Sequence, residues 1–122
     1  MIILLDTSTA TCFLTLVDDE VRQDFEWQAG RTLAHGLLKF LEEKTGDLHD
    51  ISGIGVMKGP GSFTGLRIGL TVANTLADSL SVPIVGATGE DWRETVLEKL
   101  RAGENEKIVM PEYGAAAHIT AP

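Results

Sequence analysis

The sequence predicts an α/β domain with a mixed sheet, in the order strand, strand, strand, helix, strand, helix, strand, helix. Three observations lead to this prediction. Short apolar or alternating runs with tight connections fill residues 1–27, which indicates an antiparallel meander. From about residue 32 onward, apolar residues recur at helical spacing in three segments. Single short apolar runs separate those segments, which is typical of right-handed crossover connections in a sheet covered by helices.

The first three strands are predicted from their apolar patterns. Ile2–Leu5 is a continuous apolar run, which is typical of a buried central strand. Cys12–Val17 and Val21–Trp27 alternate, and Asp18 and Asp19 between them suit a tight turn. These short connections place the three strands side by side as antiparallel neighbours.

The rest of the domain alternates helices with strands. A first helix is predicted over Thr32–Lys44, and Gly46 ends it. After it come a strand over Ile51–Met57, a helix capped by Ser62 or Thr64 that runs to Leu80, a strand at Ile84–Val85 and a helix over Glu90–Leu100. We therefore predict one domain over residues 1–103. Residues 104–122 are expected to form an extended tail that packs on the domain or on a partner.

Charge and composition exclude several classes of function. With 10 Lys and Arg residues against 18 Asp and Glu residues, the net charge is −8, which disfavours direct nucleic-acid binding by this chain alone. The longest apolar stretch, Met1–Leu5, is too short to cross a membrane. A single cysteine, Cys12, allows neither an internal disulfide nor a cysteine-based zinc cluster. We therefore expect a soluble, cytoplasmic domain that binds no metal.

Residues 58–69 form a glycine-rich motif between a predicted strand and helix. Gly59 and Gly61 permit a sharp turn, and Ser62 follows at the start of the helix, where backbone N–H groups can bind an anion. A Walker A loop is excluded because Leu66 and Arg67, rather than Lys and Ser or Thr, follow Gly65. The motif also resembles a dinucleotide fingerprint poorly, because its glycine spacing differs and the strands before it form a meander. A turn that needs small residues for structural reasons is the alternative.

The helix after this motif carries a face of small residues. Gly65, Gly69, Ala73 and Ala77 recur every four residues, and two glycines inside a helix cost about 1 kcal/mol each relative to alanine. Such a face allows close approach of another backbone. Two interpretations stay open: close packing on the chain's own sheet, or contact with a helix of a partner. The apolar residues that would frame a partner contact are Leu66, Leu70 and Leu76.

Three strings together resemble the TsaB family: Leu5–Ser8, Gly59–Gly69 and Val82–Gly86. The resemblance extends over about Met1–Leu97. It implies one ribonuclease H-like subdomain of the actin-like and sugar-kinase-like ATPase architecture. It also implies a non-catalytic part in the machinery that installs threonylcarbamoyladenosine in tRNA. The sequence has room for one of the family's two subdomains, so we expect the second to be absent and Met110–Tyr113 to correspond to the family's C-terminal segment.

The resemblance further implies partners and a contact surface. TsaB-type proteins pair with the catalytic subunit TsaD through helices of the first subdomain, form homodimers through the same surface, and work with the ATPase TsaE. The residues predicted here to contact a partner are Leu33, Leu37, Gly65, Leu66, Gly69, Leu70, Ala73 and Leu76.

The resemblance also places Asp6 where catalytic relatives have their first phosphate loop. Asp6, Gly59, Gly61 and Ser62 are therefore the candidate anion or nucleotide contacts. One subdomain offers a single wall of the nucleotide cleft, so we expect no cofactor on this chain alone, with ATP and a metal used by the partner. The alternative is a nucleotide-binding enzyme half whose active site is completed by dimerisation. A protease is disfavoured, because Cys12 lies in a predicted buried strand and Ser62 has no identifiable base.

Overall fold

A computed structural model describes residues 1–113 of the chain. Within them, five strands form one mixed sheet and three α-helices cover it, as the sequence predicts. Two single turns of 3-10 helix, Gly30–Thr32 and Leu48–Asp50, precede α1 and β4. The eight main elements are β1 Ile2–Asp6, β2 Cys12–Asp18, β3 Val21–Trp27, α1 Leu33–Thr45, β4 Gly53–Met57, α2 Phe63–Leu80, β5 Ile84–Ala87 and α3 Trp92–Arg101.

The strands lie in the order β3-β2-β1-β4-β5. β1 pairs antiparallel with β2 and parallel with β4, and β5 pairs parallel with β4 at the end of the sheet. β1 is central and has apolar side chains on both faces, which explains its continuous apolar run. β3 is the other edge; its polar residues alternate with Phe25 and Trp27, which are half-buried.

The two faces of the sheet carry different helices. Ile3 and Leu5 of β1 pack with α1 and α2 in the larger core, whereas Leu4 packs with α3 on the opposite face. Val96 and Leu97 of α3 are fully buried there. Among residues 1–113, no helix combines the length and the apolar character needed to span a membrane.

Local signals explain most element ends. Gly46 ends α1 with a φ of 82°, and the Ser62 hydroxyl accepts a hydrogen bond from the backbone N–H of Gly65 at the start of α2. Two predicted starts are wrong by two residues. β4 begins at Gly53 because the preceding turn of 3-10 helix extends to Asp50. α3 begins at Trp92 because Gly89, with a φ of 89°, lies in the turn before the helix.

Residues 104–113 run from the end of α3 along the edge of β5 and then across α2. The backbone N–H and C=O of Val109 each bond to the side-chain amide of Asn74 at 2.9 Å, and the Val109 side chain is buried. The ring of Tyr113 stacks on that of Phe63, with 4.5 Å between centroids. This part of the predicted tail therefore packs on its own domain, and the part predicted over residues 114–122 lies outside the described residues.

Candidate functional site

The glycine-rich turn packs against the loop that follows β1. The backbone N–H of Ser62 donates to the carbonyl of Ser8 at 2.8 Å. A Cβ on Gly61 would lie 2.5 Å from the Cβ of Ser8, so only glycine fits there. Gly59 has a φ of 131°, and a side chain there would overlap the carbonyl oxygen of Glu112. Residues of the C-terminal segment therefore cover one side of the turn.

The fold brings Asp6 to the same end of the sheet as this turn. Its Oδ1 accepts hydrogen bonds from the backbone N–H of Ser8 at 2.8 Å and from the Ser8 hydroxyl at 2.6 Å. Ser8 in turn accepts from Ser62, so one chain of hydrogen bonds joins Asp6 to Ser62. The carboxylate thus organises a local turn, and contact of these groups with an anion stays a prediction. Within residues 1–113, no three His, Cys, Asp or Glu side chains converge as a metal site would require.

Cys12 does not have the environment of a nucleophile. Its side chain is buried in β2, and burial, reinforced by the negative charge of Asp6, raises the pKa of the thiol to about 12. The expectation that Cys12 lies in a buried strand is confirmed, and a thiol with that pKa is a poor nucleophile near neutral pH.

The small-residue face of α2 lies against Thr7, in the chain's own loop after β1. The hydroxyl of Thr7 donates to the carbonyl of Gly65 at 2.8 Å in a buried contact. A Cβ on Gly69 would overlap Oγ1 of Thr7, and one on Gly65 would overlap the Thr7 carbonyl oxygen. Ala73 is buried in the same row. The prediction that this face is open to a partner is therefore wrong, and its close approach is to Thr7. We call the row Gly65, Gly69 and Ala73 the buried seam.

The leucines assigned to the partner contact are also inside the monomer. None of the five is more than 6% exposed. Four of them belong to the larger core, and Leu66 is buried beside Gly59 of the glycine-rich turn. They form part of the hydrophobic core, and Leu76 in addition lines a hollow at the surface. The leucines to which this correction applies are Leu33, Leu37, Leu66, Leu70 and Leu76.

A different surface of the same helix pair is open. Two adjoining hollows of about 340 Å³ and 390 Å³ lie between α1 and α2, and both are lined by Thr71 and Val72. Leu38 of α1, which is 51% exposed, lines the second hollow. We call this surface the open flank, and one of the predicted partner residues, Leu76, does line it; its apolar members are Ala34, Leu38, Leu48, Ile68, Val72, Leu76 and Leu80.

The open flank is almost uncharged. Of the residues up to 113 that line the two hollows, only Arg67 and His49 have side chains that can carry a charge, on a chain with a net charge of −8. Small side chains, among them Thr71, Thr75 and Ser79, lie between the apolar ones. Sequence reasoning named one residue of this surface, Leu76, and missed the others. A signal was present, because Leu38, Ile68 and Val72 lie outside the apolar stripe that one buried helix face requires.

Known proteins resemble this chain in both sequence and fold. A family model described as TsaD, tRNA N6-adenosine threonylcarbamoyltransferase, matches residues 31–88. The tRNA threonylcarbamoyladenosine biosynthesis protein TsaB of Escherichia coli is 33% identical over 92 residues, which cover 71% of this chain and 39% of that protein. TsaB of Bacillus subtilis is 66% identical over 35 residues, which cover 29% of this chain and 15% of that protein.

A solved structure agrees with these matches. YeaZ from Pseudomonas aeruginosa superposes with a TM-score of 0.62 and 31% sequence identity, over 71% of this chain and 43% of that one. The chain thus spans less than half the length of each of these relatives.

Proposed function

Because the chain is related to the TsaB proteins of tRNA threonylcarbamoyladenosine biosynthesis, we propose that it is a non-catalytic partner subunit of that machinery. In this proposal the domain is one ribonuclease H-like unit, and the partner is a TsaD-type catalytic subunit that uses ATP and a metal. The TsaE-type ATPase joins the same assembly, and the isolated chain pairs with itself through the surface that otherwise contacts TsaD.

The burial and hydrogen bonding of the potentially reactive side chains support a non-catalytic role. The Cys12 thiol is buried and protonated, the Asp6 carboxylate is bonded to Ser8, and Ser62 caps α2. A catalytic serine or cysteine needs an adjacent base. These side chains instead stabilise local structure, and the negative charge of the domain supports leaving tRNA contact to other subunits.

The open flank is the surface we propose for the partner, and it is the observation that carries the proposal. Its centre is apolar and nearly uncharged, as the centres of protein interfaces are. The Thr and Ser side chains between the apolar groups let a partner helix approach α2 closely. Arg67 at one end supplies a cation that suits a carboxylate on the partner.

The test compares two equal changes at exposed apolar positions. Leu38→Asp places a charge in the open flank, and Val21→Asp places the same charge on β3, away from α1 and α2. Leu38 is 51% exposed and Val21 66% exposed, so both variants are expected to keep the parent melting temperature to within a few degrees. Affinity for the purified TsaD-type subunit is measured by calorimetry.

We expect Leu38→Asp to weaken the complex about tenfold or more, because binding would bury an unpaired carboxylate. Val21→Asp is expected to bind as the parent does. Equal affinities of Leu38→Asp and the parent would contradict the proposed surface. Equal weakening by both variants would indicate a general effect of charge instead and would contradict it as well.

A further inference from the structure

The edge of the sheet at β5 is covered largely by side chains. Along β5, every second residue forms backbone hydrogen bonds with the β4 side: the carbonyl of Pro83 accepts from the N–H of Ile54, and that of Ala87 accepts from the N–H of Lys58. The N–H and C=O groups of Ile84 and Gly86 alternate with these and point away from β4. A sheet edge with such groups unpaired is a template for a strand of another chain.

All four of these outward groups have partners near the end of α3. The N–H of Ile84 donates to Asn105 Oδ1 at 3.1 Å, and its carbonyl accepts from the N–H of Glu106 at 2.9 Å. The N–H of Gly86 donates to Glu106 Oε1 at 3.3 Å, and its carbonyl accepts from Lys99 Nζ at 2.8 Å. Three of the four partners are side chains, so residues 104–107 occupy the edge without forming a sixth strand.

Two further contacts hold these side chains in place. Lys99 Nζ lies 3.1 Å from Glu106 Oε2, so the two groups that satisfy Gly86 also neutralise each other. The Val109 side chain lies over Gly86, where a Cβ would come within 2.6 Å of it, and Asn74 fixes the backbone of Val109 from α2. The segment is thus anchored on both sides of the edge.

We propose that Lys99, Asn105 and Glu106 form an edge cap that prevents β5 from pairing with β5 of a second copy of this chain. β5 suits such pairing because its four residues, Ile84–Ala87, are all uncharged. Two copies related by a two-fold axis would exchange the outward groups of Ile84 and Gly86 in an antiparallel pair. In the monomer, the cap already forms hydrogen bonds with those groups, so they are not free to pair with another strand. The charges of Lys99 and Glu106 also oppose the approach of an apolar strand.

The test removes the cap at Gly86 in the full chain. The cap variant is Lys99→Met with Glu106→Ala. The matched control is Lys107→Met with Glu104→Ala, which changes the same residue types just after α3, at side chains that form no hydrogen bond with β5. Both are made in the Leu38→Asp background, so that self-association through the open flank does not contribute. The mass in solution is measured by sedimentation over a range of concentrations, and exchange of the Gly86 amide is measured at low concentration.

We expect the cap variant to form a dimer as concentration rises, and the control to stay monomeric. At low concentration the Gly86 amide should exchange about tenfold faster in the cap variant, because its acceptor is gone. A cap variant that loses this protection and stays monomeric at all concentrations would overturn the proposal. Unchanged exchange of Gly86 would overturn it too.

Two single substitutions at Glu106 test the proposal if the double variant does not fold. Glu106→Ala removes the acceptor for Gly86, whereas Glu106→Gln keeps an oxygen at the same position. The first should show faster Gly86 exchange and self-association, and the second should behave as the parent does. If the two variants behave alike, the cap does not act through this hydrogen bond and the proposal is wrong.

Discussion

The two flanks of α2 start from similar sequence signals and end in opposite environments. On the buried seam, glycines let the helix approach the loop after β1 so closely that the Gly65 carbonyl accepts a hydrogen bond from the Thr7 hydroxyl. On the open flank, Ile68 and Val72 are only partly covered, and hollows lie beside them. The comparison teaches that small residues mark a close approach without saying which chain makes it. Surplus apolar residues beside a complete core mark the surface left for another molecule.

The largest effect should come from filling the buried seam. Gly69→Leu places side-chain atoms where Thr7 Oγ1 lies, and the Cβ and Cγ2 atoms of Thr7 are also within 2.8 Å of the new Cβ. Overpacking of this kind costs about 3 kcal/mol or more of unfolding free energy, a large part of a domain's stability. We expect a severe loss of folded protein, measured by urea unfolding monitored by circular dichroism.

The matched control for that change is Thr71→Leu, two residues along the same helix on the open flank. Because Thr71 is exposed, the unfolding free energy of the Thr71→Leu variant should stay within about 0.5 kcal/mol of the parent value. If Gly69→Leu folds as stably as Thr71→Leu, the seam does not have the close packing described here.

A smaller effect is expected from the hydroxyl that joins β1 to α2. Thr7→Val keeps the shape of the side chain and removes the donor to the Gly65 carbonyl. The carbonyl is then left buried without that bond, so the unfolding free energy should fall by about 1–3 kcal/mol. Affinity for the TsaD-type subunit should not change, because Thr7 lies on the far side of α2 from the open flank. Urea unfolding and calorimetry measure the two quantities. A stable variant with weakened binding would reverse the roles assigned to the two flanks.

Local sequence patterns predict the elements of this fold well. Apolar residues alternate over Val21–Trp27 and recur at helical spacing after residue 32. This change predicts the end of the strand and the start of the helix, because each element buries one face. The errors of two residues at β4 and α3 arise in turns, where hydrogen bonds rather than periodicity decide the boundary. These boundaries do not affect which residues enter the core.

The candidate contact surface could not be predicted in the same way. Gly69 is recognisably small from the sequence, but its neighbour Thr7 is 62 positions away, in the loop after β1. The same holds for the edge of β5, where Asn105 and Glu106 bond to a strand about 20 residues earlier. Contacts of this range depend on how the sheet and helices are assembled, and one sequence does not contain that information in its periodicity.

The most direct measurement is nuclear magnetic resonance of the labelled chain during titration with the unlabelled TsaD-type subunit. Amide signals of the open flank, such as those of Leu38, Thr71 and Val72, should shift or broaden first, while those of Gly65, Gly69 and Ala73 keep their positions and their protection from exchange. Selective loss of protection along the buried seam, with the open flank unchanged, would show that the partner takes the place of Thr7 and would contradict this account.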